Sequence, residues 1–213
     1  MSPFANDPYC YPGTEVLINK GDYRIQAELN EFEADAVLLA IATLRIHPIS
    51  GPFDEFRLKE THRRIFGNVY PWAGELRKDV GMMAKPRPSG FVVAYGPSEH
   101  LPAALAIVFA ALKAEQFLLG LDASAMADRL AYYYSELDAI HAFREGNSRT
   151  LRVFTSDLAQ AAGHRLDWAP AAQTAEQREL LYHARDLAVV RGDISALAAL
   201  IGANLRKAPT CPT

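Results

Sequence analysis

The chain has 213 residues, of which 50% are hydrophobic, and it carries a formal net charge of -3 at pH 7. This length and composition predict one globular domain with a sizeable core. The slight acidity excludes the basic excess that a general nucleic-acid binder would need. Cys10 and Cys211 lie near opposite ends of the chain and form neither a disulfide framework nor a zinc motif.

Residues 1–20 are rich in Pro, Gly, Asn and Tyr and lack a sustained hydrophobic period, so we expect an irregular N-terminal arm on the domain surface. A secretory signal has a cationic segment followed by an apolar one, and these residues do not show that pattern. The most apolar run, Leu101 to Leu112, is too short to span a membrane. These observations predict a cytoplasmic protein with no membrane partner.

Apolar residues that recur at three- and four-residue intervals predict seven helices around a common core. The periodicity places Leu39 of the first helix and Phe56 of the second on inward faces. Asp54, Ser98 and Asp122 are the predicted N-caps of the second, third and fourth helices. The predicted helices cover roughly 24–46, 54–66, 98–117, 122–140, 146–163, 171–187 and 193–206.

Prolines and glycines between 69 and 100 exclude a long helix there and favour a β-hairpin, which we call the flap. Its predicted arms are Val80–Met83 and Gly90–Tyr95, around a polar tip at 85–89. The chain is therefore predicted to be a mostly α bundle over 21–206 with a small hairpin. We expect 207–213 to fray.

Residues 141–152 hold an unusual set of side chains between two predicted helices. His141 ends the first of these helices and has the residue type of a general base near neutral pH. Glu145 is an oxygen ligand suited to Mg²⁺ that arrives with a nucleotide. The combination indicates a site that handles phosphate.

The residues after Glu145 are suited to an anion. Gly146, Asn147 and Ser148 open a helix, so their N–H groups and the helix dipole are available to a phosphate. Arg149 and Arg152 are three residues apart, project from one face of that helix and could bind successive phosphates.

Segment 141–152 resembles the signature of the Fic family, His-x-Phe-x-(Asp/Glu)-Gly-Asn-small-Arg-x-x-Arg. Residues 66–74, followed by Arg77, resemble the segment that precedes the flap in that family. The resemblance covers roughly residues 20 to 205. It implies a mostly α-helical Fic bundle with a β-hairpin flap.

Fic proteins usually transfer AMP from ATP to a hydroxyl of a target protein, so the resemblance implies a protein adenylyltransferase with Mg-ATP. His141 would deprotonate the target hydroxyl, and Glu145 would hold Mg²⁺ between the α- and β-phosphates. Asn147 and Arg149 would contact the transferred phosphoryl group, and Arg152 the terminal phosphates. The family's flap pairs with the target by main-chain hydrogen bonds; here it spans about 80–93, with Phe91 as the clamp.

The segment departs from the family pattern at two positions. Ala142 replaces a proline, which removes rigidity but no functional group. Ser148 replaces a glycine where Fic kinases carry a lysine, and its small neutral side chain favours AMP transfer over phosphoryl transfer. A Fic-type kinase, a transferase of another nucleotide and an inactive Fic-fold interaction module are the alternatives.

Many Fic proteins carry an inhibitory helix with the pattern (Ser/Thr)-x-x-x-Glu-(Gly/Asn), which this sequence lacks. The resemblance therefore implies a bacterial toxin that a separate small antitoxin restrains with a glutamate opposite Arg152. Members of that group modify the ATPase subunits of DNA gyrase and topoisomerase IV, so these are the implied targets.

Overall fold

The computed structural model describes residues 7–78, 84–86 and 90–208. Within these residues it contains seven α-helices and four short strands, which confirms the predicted mostly α fold with a small hairpin. The helices are α1 (Gln26–Ile46), α2 (Glu55–Phe66), α3 (Leu101–Ala114), α4 (Ala123–Ile140), α5 (Asn147–Ala161), α6 (Ala175–Arg191) and α7 (Ser195–Asn204). The strands are β1 (Ala84–Pro86), β2 (Val92–Ala94), β3 (His164–Leu166) and β4 (Leu205–Lys207).

Two of the three predicted N-caps are confirmed. The Asp54 carboxylate accepts the N–H of Arg57, and the Asp122 carboxylate accepts the N–H of Ala125. The third prediction is wrong, because Ser98 starts a single 3₁₀ turn and α3 begins only at Leu101. A proline follows in the first turn of α3, where its missing N–H costs nothing, and this fixes the start of the helix.

The predicted inward faces of the first two helices are partly wrong. Leu39 and Phe56 are 68% and 71% exposed, whereas α1 buries Leu29, Val37 and Leu44. These buried positions are seven or eight residues apart, as expected for a helix that contacts its neighbours along one narrow stripe. Sequence periodicity alone did not distinguish this stripe from the flanking apolar residues.

The hairpin lies close to where the sequence predicted it. β1 and β2 pair antiparallel, with Ala84 opposite Ala94 and Pro86 opposite Val92. The first strand therefore includes Lys85 and Pro86, which were predicted in the tip, and the predicted arm Val80–Met83 lies outside the described residues. A proline is tolerated here because both strands of a two-stranded sheet are edges.

The sequence did not predict the second small sheet, in which β3 and β4 pair antiparallel. Lys207 lies opposite His164 in this sheet, so the prediction that fraying begins at Lys207 is wrong. Strands of three residues are too short to show a period of two, and the helix predicted over 193–206 extended over most of β4. Residues 209–213 lie outside the described part of the chain.

Helix α4 is central, since it packs against α3, α5, α6 and α7 around the larger of the two main apolar clusters. The smaller cluster joins α1 and α2 to the N-terminal segment, where Tyr9, Tyr11 and Val16 are buried. That segment is therefore part of the packed domain and not only a surface arm. None of the helices described has the length and apolarity needed to cross a bilayer.

Candidate active site

The loop between α4 and α5 is anchored at His141. This residue caps α4 in a left-handed conformation with φ of 51°, and its buried imidazole stacks on Tyr95 with ring centroids 3.9 Å apart. Arg77 donates from Nε to the His141 carbonyl at 2.8 Å and from Nη2 to the Gly96 carbonyl at 2.6 Å. One buried guanidinium thus connects His141 to both ends of the flap.

The turn into α5 requires a glycine at position 146. Gly146 has φ of +84°, and a Cβ built there would lie 2.4 Å from the Phe66 ring. Any side chain would be strained by this backbone conformation and would also collide with the ring. The turn is therefore pressed directly against α2, and α5 begins at Asn147 without a side-chain cap.

Two of the three predicted anion donors are available. The N–H groups of Asn147 and Ser148 find no acceptor among the residues that the structure describes. The expectation for Gly146 is wrong, because its N–H donates to the Glu145 carboxylate at 2.9 Å. A carboxylate beside a helix N-terminus is favoured by the helix dipole. An anion at the turn could therefore use the Asn147 and Ser148 donors and the dipole of α5.

The side chain of Asn147 holds the loop together. Its Oδ1 accepts the Phe143 N–H at 2.9 Å, and its Nδ2 donates to the Phe143 carbonyl at 2.7 Å. The residue is buried, so both amide atoms are satisfied inside the loop. Its contact with a phosphoryl group stays a prediction. The backbone N–H of Asn147 is available for that contact.

His62, to which we assigned no role, supports the loop from α2. The Gly74 N–H donates to its Nδ1 at 2.8 Å, so Nε2 carries the hydrogen and donates to the Glu145 carbonyl at 3.0 Å. Burial lowers the pKa of His62 to about 4. The neutral ring also stacks on Phe143 with centroids 3.9 Å apart, so both its polar and its aromatic contacts fix the loop.

Arg149 is ion-paired on the side of the loop that faces α1. Its Nη1 contacts the Glu33 carboxylate, its Nη2 lies 3.5 Å from Glu145, and its guanidinium lies over the Phe66 ring. The Tyr70 hydroxyl also donates to Glu33. A nucleotide that uses Arg149 must therefore share it with carboxylates that are already in place.

Arg152, one turn further along α5, is in the opposite situation. It is half-buried and makes no hydrogen bond or ion pair within residues 7–78, 84–86 and 90–208. Burial, and after it the charge of Arg185, lowers the pKa of the Arg152 guanidinium. A half-buried arginine without a carboxylate partner among these residues is a strong candidate for an anion ligand.

Ser148 is held by a buried network from α4 and α6. Arg185 of α6 donates to both Asp138 oxygens at 2.8 and 2.9 Å through Nη2, and its Nη1 donates to Ser148 Oγ at 3.1 Å. The Tyr134 hydroxyl lies 3.3 Å from the same Ser148 oxygen. The network places a permanent positive charge behind the turn, offset by Asp138.

The remaining predicted residues have clear environments. The Glu145 carboxylate is half-buried at the turn, and Mg²⁺ commonly uses only one or two protein carboxylates together with substrate phosphates, so this residue fits the metal role. No cluster of three acidic, His or Cys side chains suited to a metal occurs in the described part of the chain.

Phe91, the predicted clamp of the flap, is half-buried, with the Arg191 guanidinium 5.3 Å from its ring centroid.

Sequence reasoning missed the residues that support the loop from other elements. The signal was weak for Glu33, Tyr70 and His62, because each lies in an ordinary polar or aromatic context. Asp138 was more visible, since it is an acidic residue among the apolar positions of α4, three residues before His141. A buried carboxylate requires a cation, and this one predicts a partner such as Arg185.

Known proteins share this loop and fold. The family model described as "Fic/DOC family" matches residues 52–159. The protein adenylyltransferase VbhT of Bartonella schoenbuchensis is 38% identical over 169 residues, which are 77% of this chain and 33% of VbhT. The "Probable protein adenylyltransferase Fic" of Escherichia coli is 30% identical over 77% of this chain and 78% of its own length. This chain therefore spans about a third of VbhT but most of the Escherichia coli protein.

Solved structures give the same result. BepC of Bartonella tribocorum, crystallised with AMPPNP, superposes with a TM-score of 0.84 at 25% identity, covering 98% of this chain and 100% of that one. The N-terminal Fic domain of a Bartonella quintana effector, with bound ADP, also gives 0.84 at 26% identity, covering 94% and 95% of the two chains. The resemblance inferred from 141–152 is thus confirmed, and the chain belongs to the Fic/DOC family.

Proposed function

We propose that this chain is a protein adenylyltransferase that transfers AMP from ATP to a hydroxyl side chain of a target protein. The oxygen of the target forms a bond to the α-phosphorus, the bond from that phosphorus to the bridging oxygen breaks, and pyrophosphate leaves. The hydroxyl proton passes to His141. Two relatives in sequence, 38% and 30% identical to this chain, bear the name of this activity.

One observation carries the proposal. Arg152 is a half-buried arginine without a carboxylate partner among the described residues, and it lies one turn after the two unpaired N–H groups that open α5. Cation, helix dipole and N–H donors together favour a polyphosphate. AMPPNP and ADP bound to two structural relatives support a nucleotide at this fold.

The proposed roles follow the positions of the side chains. His141 is the general base, since it sits at the end of α4 directly before the anion-binding turn. Glu145 would hold Mg²⁺, which reduces the charge on the α- and β-phosphates when it is bound. Arg149 and Arg152 bind the phosphates, and the flap around Phe91 docks the target by strand addition.

Radioactive ATP tests the reaction directly. The purified chain is incubated with bacterial lysate and either α-labelled or γ-labelled ATP, and labelled proteins are detected on gels. Transfer from the α-position alone supports adenylyl transfer, transfer from the γ-position alone indicates a Fic kinase, and transfer from neither indicates an inactive module. His141→Ala should reduce α-label transfer by roughly a hundredfold or more, whereas His183→Ala, which changes an exposed histidine, should not.

Restraint by a separate antitoxin is the finer part of the proposal. Arg152 has no carboxylate partner in the described part of the chain, which fits an inhibitory glutamate supplied by another small protein. The proposed targets are the ATPase subunits of DNA gyrase and topoisomerase IV in the bacterial cytoplasm. Co-expression with a candidate antitoxin tests the mechanism. Arg152→Gln should weaken its binding, and unchanged binding would rule out a Glu–Arg152 contact.

A further inference from the structure

Ser148 has two hydrogen-bond donors aimed at one oxygen. The Arg185 guanidinium has only N–H groups, so in its 3.1 Å contact the Ser148 oxygen must be the acceptor. Tyr134 is fully buried, and burial raises the pKa of its phenol, which therefore keeps its hydrogen. Ser148 is the one hydrogen-bond partner of that hydroxyl among the residues that the structure describes.

The direction of the Tyr134 bond follows from the cost of burying a polar hydrogen. If Ser148 donated to Tyr134, the phenol hydrogen would be buried without an acceptor, which is unfavourable. Tyr134 therefore donates, and Ser148 accepts two hydrogen bonds, one for each lone pair of its oxygen. The hydrogen of Ser148 must point elsewhere, and no backbone carbonyl in the described segments accepts it.

Ser148 lies in the first turn of α5, beside the unpaired N–H groups and on the partly exposed side of the network. We propose that the Ser148 hydroxyl is itself a phosphate-binding group, and that Arg185 and Tyr134 are positioning residues that direct its hydrogen towards the bound nucleotide. This inference rests on the proposed nucleotide site and adds a side-chain donor to it. Arg185 polarises that donor while Asp138 keeps it in place.

The main test is the affinity for Mg-ATP in a His141→Ala background, where no transfer consumes the nucleotide. Ser148→Ala removes a hydrogen bond to a charged group and should raise the Kd for ATP about tenfold or more. The affinity for adenosine, which has no phosphate, should not change. Ser148→Thr keeps the hydroxyl and should restore the Kd to within about twofold of that with Ser148.

The positioning role of Arg185 is tested by Asp138→Leu/Arg185→Met, a double variant that removes the buried pair at constant net charge. Replacing a buried ion pair by apolar residues of similar volume is often tolerated, so this variant is expected to fold. It should weaken ATP binding about threefold when Ser148 is present and not further in the Ser148→Ala variant.

Three results would overturn the inference. They are an unchanged Kd for ATP in Ser148→Ala, an equal loss of adenosine affinity, and a double-variant effect that persists without Ser148. The proposed function fails separately. A wild-type protein that binds ATP with the expected Ser148 dependence but transfers no AMP would refute adenylyl transfer and leave this inference standing.

Discussion

The two sides of the α5 N-terminus differ sharply in charge. The side that faces α1 and α2 pairs Arg149 with Glu33, which also accepts the Tyr70 hydroxyl. The side that faces α4 and α6 pairs Arg185 with Asp138 and leaves Arg152 without a carboxylate among the described residues. Two arginines of one motif, three residues apart, thus have opposite electrostatic surroundings.

This difference shows that a motif does not by itself define the charge of a site. Glu33 compensates the charge of Arg149 before any ligand arrives. Competition with this carboxylate therefore reduces the affinity of Arg149 for phosphate. The second arginine is partly buried and beside another cation, so an incoming anion relieves an existing penalty. The side with the uncompensated charge is therefore expected to contribute most to nucleotide affinity.

The largest expected effect is on stability, at the buried pair behind the turn. Asp138→Ala leaves the Arg185 charge buried and unpaired, which should lower the free energy of unfolding by about 3–5 kcal/mol. Urea denaturation measures the loss. Asp128→Ala changes an exposed aspartate of the same helix and should cost less than about 0.5 kcal/mol. A loss at Asp138 no larger than in this control would mean that the pair is not buried as described.

The second effect is a pH dependence on the α2 side. His62 has a folded-state pKa of about 4 against an ordinary value of 6.5, so protons bind more readily to the unfolded chain. Its stabilising contribution, about 3 kcal/mol, is present above pH 6.5 and is lost as the pH falls towards 4. When the pH is lowered from 7 to 4, the free energy of unfolding should decrease more for the wild type than for His62→Gln. His183→Gln, an exposed control, should follow the wild type, and parallel curves for all three would contradict a neutral buried His62.

The third effect concerns ATP affinity on the cationic side. Arg152→Gln removes the uncompensated charge and should raise the Kd for Mg-ATP by about tenfold to a hundredfold. Titration calorimetry measures this change. Arg165→Gln alters an exposed arginine of β3 and provides the matched control. Equal affinities of Arg152→Gln and the control would refute the claim that Arg152 is the main anion ligand.

The smallest effect has the opposite sign and tests the acidic side. Glu33→Gln keeps an acceptor for Tyr70 but removes the charge that competes for Arg149, so the Kd for Mg-ATP should fall about threefold. Asp35→Asn, an exposed change on the same helix, should leave the Kd unaltered. Weaker binding in Glu33→Gln would show instead that Glu33 is needed to orient Arg149.

Local patterns predicted much of the fold. The seven helices follow from periodicity, the hairpin follows from the prolines and glycines between 69 and 100, and the caps Asp54 and Asp122 follow from residue type. These signals act within a few residues. The three-residue strands β3 and β4 were missed because pairing partners about forty residues apart leave no local signal. The exposure of Leu39 and Phe56 depends on which neighbour a helix meets, which its own period does not specify.

The same division holds for the site. The sequence by itself determined the order of histidine, glutamate, glycine turn and two arginines in 141–152, because a continuous motif carries its own spacing. That order was sufficient to indicate the family. Only the tertiary structure decided that Glu33 compensates Arg149, that Arg152 has no such partner within 7–78, 84–86 and 90–208, and that Arg185 reaches Ser148. The two contacts join residues that are 116 and 37 positions apart in the sequence. Packing of separate helices creates them, so the electrostatics of the motif belong to the folded domain.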